Sequence, residues 1–172
     1  MKRHPISFQD FSQHIFPLWA DRWFVLTSGD LAEGKYNSMT ISWGSLGNVW
    51  NIPFAQVFVR HSRYTFDFME QYRTFSLCTF ADEYRDALNF LGSESGRNCD
   101  KIASAGLTVC PSQYIAAPSF EEANLCIECE KMYWQDMDAE HFIKADIASH
   151  YPQPDYHRIY YGRILGIYQV RS

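Results

Sequence analysis

The chain has 172 residues, of which 47% are hydrophobic and 17% aromatic, and its formal net charge is −5 at pH 7. This composition is typical of a folded globular protein and excludes a disordered chain. A negative balance without a long run of one sign argues against nucleic-acid and anionic-membrane binding, but it leaves room for a local cationic pocket. We expect one domain over residues 1–172, with residues 1–20 as an N-terminal arm.

The N-terminal residues contain no apolar signal segment, and no apolar run reaches transmembrane length. We therefore expect a soluble, cytoplasmic protein that does not associate with membranes. The odd number of cysteines, five, fits free thiols in a reducing compartment. Cys126 and Cys129 form a Cys-x-x-Cys pair within a predicted strand, where their sulfurs should point to opposite faces, so we expect no metal there.

The first half of the chain predicts antiparallel strands. After an aromatic arm broken by Pro17, residues 23–28 predict a strand, residues 34–44 a second and residues 54–60 a third, opened by Pro53. We place the turn between the last two at Gly47-Asn48. Short connections of this kind favour antiparallel pairing.

The second half mixes strands with short helices. Residues 66–71 predict a helix with Thr65 as its N-cap, and a second helix is expected from about residue 82 to residue 91. A short helix ended by Gly106 follows. Strands are expected at residues 74–80, 125–135 and 156–170, the last bent at Gly162 or Gly166. Such an order favours a mainly β fold with short helices, built as a closed or nearly closed antiparallel barrel.

Residues 34–44 (Gly-Lys-Tyr-Asn-Ser-Met-Thr-Ile-Ser-Trp-Gly) are the predicted working surface. Ser38, Thr40 and Ser42 alternate with apolar residues, so one face of the strand carries three hydroxyl groups. Either this is an amphipathic strand with a solvated face, or a flat, partly polar ligand lies against it.

Two segments have the composition of anion sites. Arg60 and Arg63 precede Thr65 at a helix start, where guanidinium groups, a hydroxyl and free N–H groups can meet a phosphate. Residues 93–97 (Ser-Glu-Ser-Gly-Arg), with Lys101 close behind, let the backbone approach a phosphate closely. Surface charge and an ordinary loop are the alternative explanations.

These residues carry a family resemblance. Residues 37–43, 60–65, 92–97 and 100–101, in this order and spacing, together with a C-terminal strand beginning at residues 155–162, resemble the flavin reductase-like proteins of the FMN-binding split-barrel class, which include flavoredoxin. The resemblance implies an antiparallel, Greek-key type split barrel that forms a homodimer and holds one FMN per subunit near the dimer interface.

The resemblance also implies site residues. Residues 37–40 would border the flavin ring, Arg60 and residues 63–65 would hold the ribityl phosphate, and the serine-rich segment would complete that grip. Ser76 and Cys78 would touch the ring from an adjacent strand. The full set of expected FMN-binding residues is Asn37, Ser38, Met39, Thr40, Arg60, Arg63, Tyr64, Thr65, Ser76, Cys78, Ser93, Ser95, Gly96, Arg97 and Lys101.

His157 has two interpretations. The resemblance places it where a nicotinamide would approach the flavin, as a catalytic candidate, whereas a structural histidine in a half-buried strand is the alternative. For the whole chain, the leading hypothesis is an NAD(P)H-dependent flavin reductase that takes hydride from NADH or NADPH. A flavoredoxin-like electron carrier, whose redox partner is another protein, is the second. A split barrel that binds haem is the third, and the two phosphate-binding segments argue against it.

Overall fold

In the computed structural model, which describes residues 2–170, ten strands and four short helices follow one another. The strands are β1 (Arg3–Pro5), β2 (Phe24–Asp30), β3 (Lys35–Ile41), β4 (Gly44–Val49), β5 (Ile52–Arg60), β6 (Thr74–Thr79), β7 (Val109–Cys110), β8 (Ser119–Phe120), β9 (Leu125–Asp136) and β10 (His157–Val170). The helices are α1 (Ile15–Pro17), which continues into a π-helical turn (Leu18–Arg22), α2 (Tyr64–Gln71), α3 (Arg85–Ser93) and α4 (Lys101–Ser104). Three 3₁₀ turns lie at Asp82–Tyr84, Ala139–His141 and Ala145–His150.

Eight of the strands form one antiparallel sheet. Their order is β3-β2-β6-β9-β10-β5-β4, and β1 pairs with the end of β10. The two strands at the ends of this order, β3 and β4, are consecutive in the chain and are joined by Ser42 and Trp43 alone. The sheet therefore curls until its edges meet, which confirms the predicted antiparallel barrel.

The long strand β10 bends where glycines allow it. Its register against β9 shifts between Tyr161 and Gly162 and again between Ile164 and Gly166, as predicted from the two glycines. An added Cβ at Gly162 would overlap the ring of Phe75, so this position requires the close approach that only glycine permits.

The predicted turn at Gly47-Asn48 is wrong. Both residues lie inside β4, opposite Phe54 and Pro53, and the turn falls at Trp50-Asn51. Both turn residues have positive φ, 54° and 59°, the backbone of a tight hairpin turn whose twist matches that of the strands. Glycine-asparagine was the stronger turn signal in the sequence, but pairing along the full length of β5 decides the register.

Two apolar cores lie on opposite faces of the sheet. The larger fills the barrel and includes Phe24, Leu26 and Tyr160, while the smaller packs beneath α3 and β8 and includes Val25. Leu18 and Trp19 of the N-terminal arm are buried in the larger core, so the arm packs on the barrel as expected.

The Cys-x-x-Cys pair is structural. Cys126 belongs to the smaller core and Cys129 to the larger, which confirms that their sulfurs point to opposite faces. Within residues 2–170, no group of three or more histidine, cysteine or acidic side chains is placed to hold a metal ion. None of the helices in this part of the chain is long and apolar enough to cross a membrane.

Candidate functional site

Two adjoining cavities lie along the edge strand β3. The β3 cavity, of about 420 Å³, is lined by Met39, Thr40, Ile41, Ser42, Trp43, Phe58, Arg60, Ser62, Arg63 and His157. The cation cavity, of about 120 Å³, is lined by Met39, Ser62, Arg63, Tyr64, Thr65, Glu94, Ser95 and Lys101. Met39, Ser62 and Arg63 belong to both, so the two cavities adjoin each other.

Arg63 and Lys101 bring two positive charges into the cation cavity. The Arg63 guanidinium donates to the carbonyl of Gly92. The Lys101 ammonium donates to the carbonyls of Leu91 and Glu94, at 3.0 and 3.1 Å. These carbonyls belong to the end of α3, where backbone acceptors lack helical partners and favour a positive charge. Both cations are thereby fixed in place.

The electrostatics of this cavity favour an anion. Lys101 is only 4% exposed, and burial, followed by the nearby charge of Arg63, lowers its pKa to about 8. Burial also lowers the pKa of Arg63, and the charge of Arg60 lowers it further, while Asp155 opposes this to a smaller degree. Two poorly solvated cations that repel each other are stabilised by a ligand of opposite charge.

Helix α2 begins beside these cations. Arg63 occupies the N-cap position with an extended backbone, so the expected N-cap, Thr65, instead lies in the first turn. The buried Thr65 hydroxyl accepts a hydrogen bond of 2.8 Å from the Asn37 amide, which ties α2 to β3. The first N–H groups of a helix have no partner within it, so the start of α2 adds donors to the cavity.

The segment after α3 covers the cation cavity. The Ser95 hydroxyl lines the cavity and accepts from the Arg97 N–H at 3.3 Å. Gly96 lies against Asn37 and Tyr64 so closely that an added Cβ would overlap the Asn37 oxygen. Arg97 stacks on Tyr64 at 4.7 Å and forms a 2.7 Å ion pair with Asp67. The segment is thus fastened to α2.

The hydroxyl groups of β3 do not act as one face. Ser38 is fully buried and bonded to Thr27 at 2.7 Å, and Thr40 donates to the Leu88 carbonyl of α3 at 2.5 Å. Ser42 is exposed and lines the β3 cavity. Residues 39–41 of the edge strand β3 have a partner strand on one side only, and Ser42 and Trp43 lie between β3 and β4. Part of the backbone N–H and C=O groups along residues 39–43, which line the β3 cavity, therefore has no partner in the sheet.

His157 lines the β3 cavity and is almost fully buried, at 7% exposure. Its Nδ1 lies 2.7 Å from the Tyr151 hydroxyl, and its ring lies 5.0 Å from that of Trp43. Burial lowers its pKa to about 4, and the charge of Arg60 contributes. The imidazole is therefore neutral at pH 7.

Residues 137–156, which connect β9 to β10, form a strap against the β3 cavity. Arg60 joins the strap through a 3.0 Å hydrogen bond to the His150 carbonyl and lies 5.0 Å from the Tyr151 ring. Ser62 donates to Asp155 at 2.5 Å. Tyr151 and Ser62 were not predicted as site residues. The strap has no periodic pattern that would single out Tyr151, and Ser62 lies between the two arginines that carried the anion-site prediction.

Seven of the fifteen expected residues line neither cavity. Asn37, Gly96 and Arg97 line a neighbouring cavity instead, and Ser38 is buried as described above. Ser76 and Cys78 of β6 are fully buried, with Ser76 bonded to the Pro118 carbonyl and Cys78 beside Cys126 in the smaller core. Ser93 faces a separate shallow hollow with Trp23. His61, between the two arginines, is exposed and contacts Asp136 at 3.1 Å.

Comparison with known structures finds proteins of the same fold. Structurally similar proteins include an FMN-binding domain of a flavin reductases-like enzyme from Shewanella baltica (TM-score 0.69, 15% identity, covering 98% of this chain and 77% of that one). Flavoredoxin of Desulfovibrio vulgaris has a TM-score of 0.68 at 20% identity, covering 99% and 78%. An NADH:FAD oxidoreductase of Streptomyces globisporus has a TM-score of 0.64 at 14% identity, covering 86% and 75%.

At these identities the likenesses show the fold alone. The comparison with curated proteins finds no match. Residues 20–172 match the model of the flavin reductase like domain, which is most of the chain, and the chain therefore belongs to the flavin reductase-like family.

Proposed function

We propose that this protein is an FMN-binding oxidoreductase whose cofactor phosphate occupies the cation cavity and whose flavin ring occupies the β3 cavity. The observation that carries this proposal is a pair of cations, the half-buried Arg63 and the buried Lys101, in a small cavity that adjoins a larger one. Family membership and FMN-binding structural neighbours support the same assignment.

The residues of the cation cavity fit a phosphate dianion. Arg63 and Lys101 supply charge-assisted donors, and the Ser95 hydroxyl and the start of α2 supply neutral ones. The volume of about 120 Å³ suits a group of phosphate size, while the 420 Å³ of the β3 cavity falls within the range of small-molecule sites. Tyr64, Gly96 and Arg97 close over the phosphate in this proposal.

The ring would lie against the edge of β3. Free N–H groups along residues 39–43 would donate to the polar edge of a flavin, with Met39 and Trp43 as apolar contacts. Donors at that edge favour a reduced, negatively charged ring over an oxidised one. Bound FMN supplies the hydride and single-electron chemistry, so the chain itself has to bind the cofactor, orient it and shield it from water.

Within this assignment we favour an NAD(P)H-dependent flavin reductase. His157 is a neutral imidazole at the wall of the β3 cavity, held by Tyr151, and a neutral ring can orient a nicotinamide through a hydrogen bond without adding charge. The Streptomyces globisporus neighbour is an NADH:FAD oxidoreductase. An electron carrier is the alternative, supported by the similarity to flavoredoxins from Desulfovibrio vulgaris and Methanosarcina acetivorans.

A homodimer and a single domain over the whole chain belong to the same proposal. Trp43, Trp50 and Trp134 are 41%, 62% and 50% exposed, and aromatic side chains of this kind are enriched in subunit interfaces.

The test is an anaerobic visible spectrum of protein loaded with FMN and freed of excess, recorded before and after NADH and then NADPH. Rapid bleaching of the retained flavin band is the expected result for a reductase. A retained band that neither nucleotide bleaches would instead establish the carrier, and a protein that retains no flavin would overturn the FMN assignment.

A further inference from the structure

A cavity larger than either of the two described above lies next to the cation cavity. This aromatic groove, of about 690 Å³, runs between the start of β3, α2 and the segment that leads into α4. It shares Tyr64 and Lys101 with the cation cavity. The two cavities therefore adjoin each other.

One wall of the groove is a row of aromatic rings on α2. Tyr64, Phe68 and Tyr72 follow one another at four-residue spacing, which places them on the same face of the helix. The ring centres of Phe68 and Tyr72 lie 6.1 Å apart with an angle of 15° between their planes. All three rings are half-buried, and two nearly parallel ones offer a flat apolar surface on which a planar base can stack.

The opposite wall is polar. Asn98 and Asp100 line it with groups that can hydrogen-bond a ribose diol, and Lys35 and Arg97 add positive charge. Arg97 already pairs with Asp67, and Lys35 with Glu33 at 3.4 Å, so their charge is partly neutralised before any ligand arrives. A flat base, a diol and one phosphate are together the chemistry of a nucleoside monophosphate.

The order of the three cavities along β3 matches the order of the groups in a dinucleotide. The aromatic groove lies beside Tyr36, the cation cavity beside Met39 and the β3 cavity beside Ser42. Six residues of an extended strand span roughly 20 Å. Base site, phosphate site and flavin-ring site are thus arranged in the sequence in which those groups occur in a dinucleotide.

We propose that the aromatic groove binds the adenylate half of a dinucleotide, with the base on Phe68 and Tyr72. The proposal rests on the function assigned above, which fills the cation and β3 cavities with the flavin mononucleotide part. The adenylate can belong to FAD taken in place of FMN, whose flavin half then occupies those two cavities. It can also belong to the nicotinamide dinucleotide that approaches bound FMN, in which case FMN keeps the two cavities.

The experiment measures dissociation constants of FMN and FAD by flavin fluorescence, and the KM for NADH of the FMN-loaded protein. Each is measured for the wild type, Phe68→Leu and Tyr72→Leu. The second variant changes the half-buried residue that ends α2, so it serves if the first one does not fold. Tyr114→Leu, which removes a 63% exposed ring outside the groove, is the matched control. Adenosine, which carries no phosphate, is added as a competitor against each flavin.

If FAD is the source, the groove variants weaken FAD about tenfold or more, as loss of base stacking does, while FMN affinity stays unchanged. Adenosine then competes with FAD and not with FMN. If the nicotinamide dinucleotide is the source, the variants raise the KM for NADH and leave both flavin affinities unchanged.

FAD and FMN affinities that stay at their wild-type values in both groove variants, together with an unchanged KM for NADH, would overturn the groove assignment. That outcome differs from failure of the proposed function, in which the wild type would bind no FMN at all.

Discussion

Lys101 offers the sharpest test of the cation cavity, because its charge state and its proposed ligand are coupled. The folded, ligand-free protein holds the Lys101 pKa at about 8, below its ordinary value of 10.5. The difference corresponds to roughly 3 kcal/mol of disfavoured charge, since each pH unit is worth about 1.4 kcal/mol. Between pH 8 and 10.5 the unfolded chain binds more protons than the folded one, so stability without ligand rises with pH in that window.

A bound phosphate reverses this situation. Its negative charge favours the ammonium form, so binding above pH 8 takes up a proton, and FMN affinity falls by up to about tenfold per pH unit. Riboflavin has the same ring without the phosphate, so its affinity should show no such component. The ratio of the two affinities between pH 7 and 9.5 therefore isolates the phosphate contact.

Two substitutions complete the test. Lys101→Met removes the charge and should weaken FMN roughly tenfold to a hundredfold at pH 7, the range of a lost charge-assisted hydrogen bond, with no pH dependence left. Lys101→Arg keeps the charge over the whole range and should bind FMN without the decline above pH 8. A ratio of FMN to riboflavin affinity that does not change with pH in the wild type would rule out a contact between Lys101 and the phosphate. Equal loss of both flavins in Lys101→Met would do the same, since Lys101 would then serve only to hold the end of α3.

Three further predictions follow from the same geometry. Arg63→Ala should weaken FMN about tenfold to a hundredfold and riboflavin little, measured by fluorescence titration; equal losses would remove the phosphate contact. Thr40→Val leaves the Leu88 carbonyl without its 2.5 Å donor and should cost about 1 kcal/mol, a fall in Tm of roughly 2–4 °C by calorimetry, and an unchanged Tm would contradict that bond. His157 has its pKa lowered to about 4, so the unfolded chain binds more protons between pH 4 and 6.5 and stability falls as pH falls through that window. In denaturant titrations His157→Gln should lose less stability than the wild type from pH 6.5 to 4; identical losses would show that other groups titrate there.

The strands of the barrel could be predicted from the sequence because alternation has a direct physical cause. Predicted strands at residues 23–28, 74–80 and 125–135 correspond to β2, β6 and β9 within two residues at each end. Burial on one face imposes the period of two that the sequence displays. The strand β1 and the β7–β8 pair are two or three residues long, too short for any such period, and they depend on partners distant in the chain.

The candidate site could be predicted in part for a related reason. Arg63, Thr65, Ser95 and Lys101 meet in one cavity, as the anion-binding composition of their segments indicated. The prediction failed for Ser38. Its place in the alternating sequence put it on the same face as Thr40, but its hydroxyl is hydrogen-bonded to the buried Thr27 on the neighbouring strand. The order of strands in the sheet decides which neighbour a side chain contacts, and that order cannot be derived from sequence spacing alone.

Tyr151 is a residue of the candidate site that the sequence did not predict. It lies in the strap, whose irregular turns carry no period, and reaches His157 only because the strap folds back over the start of β10. A contact of this kind is created by tertiary packing. It becomes visible only when the fold is known.

The position of the flavin can be observed in a crystal structure of the protein grown with FMN. We expect phosphate density between Arg63, Ser95 and Lys101, with the ring against the edge of β3 near Met39 and Trp43. Density for the phosphate elsewhere, with the cation cavity closed by water or side chains alone, would contradict this expectation.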